Sequence, residues 1–399
     1  MKTRAALMFE QPGDWMVSEV ELDNPGPGEV LVQMIATGLC HSDDHVATGD
    51  IVVGHLPICG GHEGAGIVRE MGPGVYGLEV GDHVLTSFVP SCGRCRWCAT
   101  GRQNLCDNGA IILEGAQLDG GFRMHVGSED VSTMGVLGTF AEWQVYDQMS
   151  LVKIRKDVPL DVACLVSCGV PTGWGSAVNA AEVQPGDVVI VQGVGGVGIN
   201  AVQGAKHAGA AHIIAVDPVE FKREFALTLG ATSAFAHIDE ATDFARSVTN
   251  GQGADSSIVT VGAVDGERIA EGFRAIRKAG IVVVTSQGAT NAEGIPGINL
   301  FEISMYQKRI QGALYGMSSP RRQVPLLLDL YVSGQLKLDE LVTRRYGLDQ
   351  INQAYQDMRD GINIRGIIEF QPQLISPNPP ETPETPETPE TQERDEETK

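Results

Sequence analysis

The sequence predicts an α/β chain: a mostly-β domain, then a doubly wound parallel sheet, then a disordered acidic tail. Three observations lead there. Short β-prone runs separated by Gly-Pro turns fill residues 1–169, apolar strands alternate with helical patterns through 170–314, and the last 29 residues hold almost nothing apolar. At 399 residues the chain exceeds one ordinary core, so about two domains are expected.

In the first part, residues 30–35, 65–70 and 83–86 read as strands. Pro25-Gly26-Pro27-Gly28 and Gly72-Pro73-Gly74 punctuate them as turns. In the second part, strands at 188–191, 213–216, 257–261 and 281–286 alternate with helices at 197–208, 220–229 and 266–278, the pattern of a parallel sheet covered by helices. A helix at 323–333 and a strand at 366–370 complete residues 315–370. Residues 371–399 repeat Pro-Glu-Thr and cannot offset their ordering entropy, so they are expected to be a disordered, partly polyproline-II tail.

The net charge is −22, of which the tail carries −6. The remaining −16 argues against a nucleic-acid partner, which needs a basic face. No run approaches the roughly 20 apolar residues of a membrane span, and the first 15 residues lack the apolar segment of a signal peptide. Eight cysteines in such a chain suggest metal or catalysis, not disulfides, and a reduced, cytoplasmic setting.

Four of those cysteines crowd into Cys92-x2-Cys95-x2-Cys98-x7-Cys106. Four thiolates on one short loop can close a tetrahedral shell around zinc, leaving no position for a substrate. An iron–sulfur cluster is the other occupant such a set could take. A second group is spread wider: Cys40-His41-Ser42-Asp43-Asp44-His45, then Gly61-His62-Glu63, then Ser167-Cys168-Gly169. Each alone is ordinary; a lone cysteine is more often a small buried hydrophobe.

Residues 187–192 read as a buried strand running into Gly193-Val194-Gly195-Gly196-Val197-Gly198 and then a helix, with Asp217 closing the following strand. That placement makes G-x-G-x-x-G a dinucleotide signature. Gly193 permits the tight turn, Gly195 admits the pyrophosphate, and Gly198 allows close helix–strand packing. Amides at the helix start, including those of Gly196 and Val197, face the phosphates. Asp217 would hold the adenosine ribose hydroxyls and repel a 2′-phosphate, which favours NAD over NADP.

From Cys40 through Cys106 the series resembles the zinc-containing medium-chain alcohol dehydrogenases, and the likeness covers essentially residues 1–370. It implies a GroES-like catalytic domain and a Rossmann domain, with 315–370 returning to the former. It implies one catalytic and one structural zinc per subunit. Cys40, His62 and Cys168 would hold the catalytic ion, leaving a fourth position for water or alcohol. Asp43 would orient His62, and Glu63 would sit behind the metal. Zinc would acidify the alcohol, and Ser42 with His45 would carry the proton out past the cofactor's ribose. Lys222 would lie by the adenosine ribose, and His41 and Arg365 by the pyrophosphate. Ser42, Phe88, Val136 and Leu137 would line a mainly apolar pocket for a primary alcohol or aldehyde.

The phrases at 168–181 and 198–205 look more like one branch, the nitrosoaniline-dependent nicotinoproteins. These retain NAD and pass electrons to an external acceptor. A thiol-dependent formaldehyde dehydrogenase shares both zinc patterns and is the enzymatic alternative. A dinucleotide-binding sensor is the non-enzymatic one, although it would have no need of an open metal site. Subunits of the family pair through the cofactor-domain sheet, so the apolar, strand-prone residues 297–313 point to a homodimer or homotetramer.

Overall fold

The computed structural model describes residues 1–288 and 294–370. The expected tail at 371–399 lies outside the described residues.

Two sheets share the N-terminal part. A small closed barrel joins Lys2–Met8, Met16–Leu22, Met124–Val126, Glu129–Thr133 and Ile58–Cys59. The second sheet is seven-stranded and centres on Glu29–Gly38, which is buried almost along its whole length. It pairs antiparallel with Glu63–Met71, with Trp143–Asp147 and with Arg365–Glu369. A strand with neighbours on both sides needs apolar residues on both faces, which is why its sequence runs Val-Leu-Val-Gln-Met-Ile without clean alternation. Through Arg365–Glu369 the last strand among the described residues joins the sheet begun by Glu29–Gly38.

The third sheet is parallel throughout, in the order Ser233–Phe235, His212–Val216, Val188–Gln192, Ala254–Val259, Ile276–Val284, Arg309–Gly312. Its order reverses between Val188–Gln192 and Ala254–Val259, and a crevice opens beyond the carboxyl ends of those two strands, where open α/β sheets bind ligands. One core runs from this sheet into the catalytic part, uniting Val189, Ile199 and Trp174 with Ala36, Ala65 and Leu85. Helix Gly169–Gly175 sits inside that shared core, every residue buried, so the two parts are packed together behind the crevice.

Two expected elements differ. Residues 266–278 read as one helix, but the helix stops at Gly266–Ala275 and Ile276 opens the next strand by pairing with Ala254. Burial of Ile276 in the sheet overrides a helical periodicity that continues past it. Residues 297–313 form a short helix, Leu300–Met305, before the strand Arg309–Gly312. The side chain of Asn299 accepts the Phe301 amide at 3.0 Å, a cap that starts a helix in a strand-like composition. Among the described residues no helix is long and apolar enough to cross a membrane.

Candidate active site

Strand register brings the spread motif together. Gly38 pairs with Glu63, so Cys40, just past one strand, faces His62, just before the other. Cys40 is the N-cap of helix His41–Thr48, and Cys168 is the N-cap of Gly169–Gly175. Ligand atoms of Cys40, His62, Glu63 and Cys168 all lie within 4.8 Å of one another. Asp43 is fully buried, and its Oδ1 accepts the Gly61 amide at 2.9 Å and faces His62 Nδ1 at 3.2 Å. That bond commits Nδ1 and leaves Nε2 for a metal. Against burial, which lowers it, the Asp43 and Cys40 charges hold the His62 pKa well above its ordinary value. The hydrogen bond from Cys168 comes first in holding the Cys40 thiol well below its usual range.

Glu63 lies beneath this cluster, paired with the Arg365 guanidinium. Burial pushes its carboxyl up to about 7 even though Arg365 pulls it down. Oε1 of Glu63 also accepts the Gly169 amide at 3.1 Å, which ties the Cys168 segment to the same point. Phe88 stands edge-on to His62, with ring centroids 5.7 Å apart.

The four remaining clustered cysteines form a separate knot. Ligand atoms of Cys92, Cys95, Cys98 and Cys106 again lie within 4.8 Å. Backbone amides of Cys92, Cys95 and Cys98 point at the sulfurs of Cys106, Cys92 and Cys95, at 3.5, 3.3 and 3.4 Å. Amide donors stabilise thiolates, so the donor set fits a closed zinc shell.

A cavity of about 800 Å³ runs from the open cluster into the crevice. Cys40, His62 and Cys168 line one end, and Gly195, Asp217 and Lys222 the other. The cradle fits a dinucleotide. A Cβ on Gly195 would meet nothing, whereas one on Gly198 would strike the Gly193 carbonyl, and Gly193 itself has φ +83°. Asp217 accepts the amides of Val194 and Val219 at 3.0 and 2.9 Å, which fixes its carboxylate at the strand end. Arg365 packs its Cδ on Gly196, and its buried Nε has no partner among the described residues.

The alcohol dehydrogenase GroES-like domain matches residues 26–156, and the zinc-binding dehydrogenase domain matches residues 196–333. The NDMA-dependent alcohol dehydrogenase of Amycolatopsis methanolica is 51% identical over 92% of this chain and 99% of its own length. The chain belongs to the zinc-containing medium-chain alcohol dehydrogenases. At greater distance, the S-(hydroxymethyl)glutathione dehydrogenase of Synechocystis sp. is 35% identical over 93% of this chain and all of its own. The crystal structure of benzyl alcohol dehydrogenase from Acinetobacter calcoaceticus superposes with a TM-score of 0.86 at 31% identity, over 93% of this chain and 100% of that one. As a member, the enzyme interconverts an alcohol and its aldehyde with zinc and a nicotinamide cofactor.

In this dehydrogenase, His41, Ser42, His45 and Phe88 border the cavity together with the metal-facing residues. Val136 and Leu137 do not. Gly135 and Val136 both take left-handed backbone, φ 63° and 59°, and that turn directs Val136 and Leu137 into the core. Met134 and Gly135 form the wall in their place. Arg365 is turned towards Glu63, and its Nη2 bonds both that carboxylate and the Leu39 carbonyl, the latter at 3.2 Å, while its buried Nε has no partner among the described residues. Sequence reasoning missed Ile51, Ile112, Leu113, Thr172 and Gln287, all of which line the cavity. The nearest signal for Ile112 and Leu113 is their position six and seven residues after Cys106, on the segment that leaves the lobe.

Proposed function

We propose that this dehydrogenase oxidises primary alcohols to aldehydes on an NAD that stays bound between turnovers, passing the electrons to an external acceptor. The observation that carries it is the single cavity linking the Cys40–His62–Cys168 cluster to Gly195 and Asp217. A metal-activated alcohol and a nicotinamide held there would share one space, within reach of each other. Likeness to an NDMA-dependent relative supports the resident cofactor.

Zinc, when bound, acidifies the alcohol's hydroxyl, and the nicotinamide, when bound, takes the hydride. The protein's own residues do the rest. Cys40, His62 and Cys168 supply two thiolates and an imidazole, and three protein ligands are the pattern of a catalytic site. Asp43 fixes the His62 tautomer. Ser42 takes up the alcohol's proton while passing on its own, and His45 receives it nearer solvent. His45 Nδ1 lies 3.0 Å from Asp50 Oδ2, and its Nε2 lies 3.1 Å from the Gly262 carbonyl. Asp217 selects NAD, Lys222 and His41 flank the nucleotide, and Arg365 steadies Glu63 while offering Nε. Phe88, Met134, Ile112 and Leu113 provide the apolar wall.

We assign residues 1–169 and 315–370 to catalysis and 170–314 to the nucleotide; sheet membership supports this division. The outer edge of Arg309–Gly312, unpaired among the described residues and beside exposed Leu300 and Met305, supports a homodimer through that edge. A solution mass of one chain would contradict it. None of the eight cysteines forms a disulfide, which suits the cytoplasm.

The test is to purify the protein without nucleotide, heat-denature it, and assay the supernatant for NAD plus NADH. Near-stoichiometric release, with turnover that needs an artificial acceptor, supports residence. A nucleotide-free preparation that turns over with added NAD would sink it. Formaldehyde assayed with and without a low-molecular-weight thiol separates the glutathione-adduct chemistry of the more distant relative.

A further inference from the structure

We infer that Gln11 is a positioning residue for alcohol specificity, holding the distal wall of the pocket by gripping the loop that carries Ile51. The inference rests on the reading of Ile51 and Leu113 as wall for the alcohol's carbon chain.

Gln11 lies outside the cavity's lining, in the turn between barrel strands Lys2–Met8 and Met16–Leu22. The exit of that turn is fixed, because Trp15 and Asn352 exchange two bonds, at 3.0 and 2.8 Å. From there Gln11 Nε2 donates to the carbonyls of Val46 and Ile51, both at 2.7 Å, and its Oε1 accepts the Val53 amide at 3.3 Å. A side-chain amide has two N–H donors on its nitrogen and acceptor lone pairs on its oxygen. Both donors and the oxygen are used here, so one orientation of the amide fits and its flip does not. The same turn meets helix His41–Thr48 once more, where the Gly13 amide donates to the Ala47 carbonyl at 3.0 Å.

The gripped loop is a wall of the cavity. Helix His41–Thr48 ends at Gly49, with φ 86°, and the chain folds back so that the Ile51 amide meets the His45 carbonyl at 3.0 Å. Ile51 is 8% exposed and lines the cavity, while Val52 beside it is 68% exposed, so the loop turns one side chain in and the next out. The Gly54 amide then donates to the Leu113 carbonyl at 3.0 Å, which ties this loop to the second wall segment. Phe88 and Gly135 bound the metal end instead: the Phe88 ring is 5.7 Å from that of His62, and a Cβ on Gly135 would lie 3.8 Å from His62 Cβ. Ile51 follows the opposite end of a helix that starts at Cys40, about two turns or roughly 10 Å further on. Ethanol held at the metal is too short to reach it; an aryl ring or longer alkyl chain packs on it. Without the grip of Gln11, each such alcohol would have to order Ile51 as it binds, at a cost in affinity.

The experiment is a double-mutant cycle on the full-length holoenzyme with Gln11→Leu, Gln11→Glu and Ile51→Ala. It reads kcat and KM for benzyl alcohol and for ethanol with an artificial acceptor, together with zinc and nucleotide contents. Gln11→Leu should lose roughly tenfold in kcat/KM for benzyl alcohol, chiefly through KM, and change little for ethanol, with both contents unchanged. Gln11→Glu keeps the shape and an acceptor but has no N–H to give, so it should lose as much. In the Ile51→Ala background Gln11→Leu should cost little more, because the wall it holds is already cut back. Equal losses for the two alcohols, an unchanged ratio in either folded Gln11 variant, or losses that add across the two sites would overturn this inference alone. So would the failure of both Gln11 variants to fold, which would make Gln11 a purely structural residue. Ile51→Ala with an unchanged ratio would instead overturn the reading of Ile51 as wall, and this inference with it.

Discussion

Cys40 has two duties that one substitution can separate. It caps helix His41–Thr48, with its carbonyl accepting the Asp43 amide at 3.2 Å, and it offers a thiolate to the open cluster. Serine is a good N-cap but a poor zinc ligand. Cys40→Ser should therefore leave the protein folded with about one zinc per chain in place of two, and abolish turnover. Two zincs and normal turnover would refute the assignment. Asp217 is separable in the same way. Asp217→Asn keeps an oxygen for the backbone but removes the charge that repels a 2′-phosphate, so the NAD-to-NADP efficiency ratio should fall roughly tenfold to hundredfold. An unchanged ratio would misplace Asp217. The four cysteines from Cys92 to Cys106 were legible because their spacing is tight, whereas Cys40, His62 and Cys168 stood out only through the family resemblance. Generic apolar residues were not legible. Nothing in Ile112 or Leu113 distinguishes a cavity wall from core, and the Val136–Leu137 expectation missed by the width of one turn, whose left-handed valine no propensity announces.

Among the elements, the cysteine lobe depends most on its metal. Its regular structure is one helical turn, Arg96–Ala99, and two 3₁₀ turns, packed on a small cluster of Val89, Cys98 and Cys106. The lobe also braces the site: Asn104 Nδ2 donates to the Leu314 carbonyl at 3.1 Å, and Ile112 and Leu113 follow on the same segment. Cys95→Ser should raise proteolytic cleavage within 92–115 and raise KM for apolar alcohols; an intact lobe with unchanged KM would contradict a metal-held wall. Strand His83–Thr86 carries a pH signature. Burial first, then Lys156, hold the His83 imidazole below its ordinary value. The unfolded chain then binds that proton more readily, so this contribution is complete above about pH 6.5 and is lost as pH falls towards the folded value. His83→Gln should flatten the decline of Tm between about pH 7 and pH 5; an unchanged slope would contradict it. Strands and helices with strong periodicity were legible, while the break at Ile276 and the short helix Leu300–Met305 were set by pairing and by a single asparagine cap.

Over the molecule as a whole, function depends on two parts closing on one cavity. The parallel, doubly wound sheet and the glycine turn were foreseeable, because alternating strands and helices leave few topologies. How the parts meet was not. The contacts Ser42–Gln287 and His45–Gly262, and the packing of Arg365 on Gly196, join residues 169 to 245 positions apart, and no local pattern encodes them. Such bridges across the nucleotide's route can make its escape slow, which is what a resident cofactor requires. The decisive measurement is a single turnover. Alcohol is added to zinc-replete protein, purified without nucleotide and with no free NAD or acceptor present, and bound NADH is read by its absorbance. The account predicts reduction approaching one NADH per subunit, with aldehyde formed in equal amount and no signal from Cys40→Ser. No reduction until free NAD is supplied would contradict it.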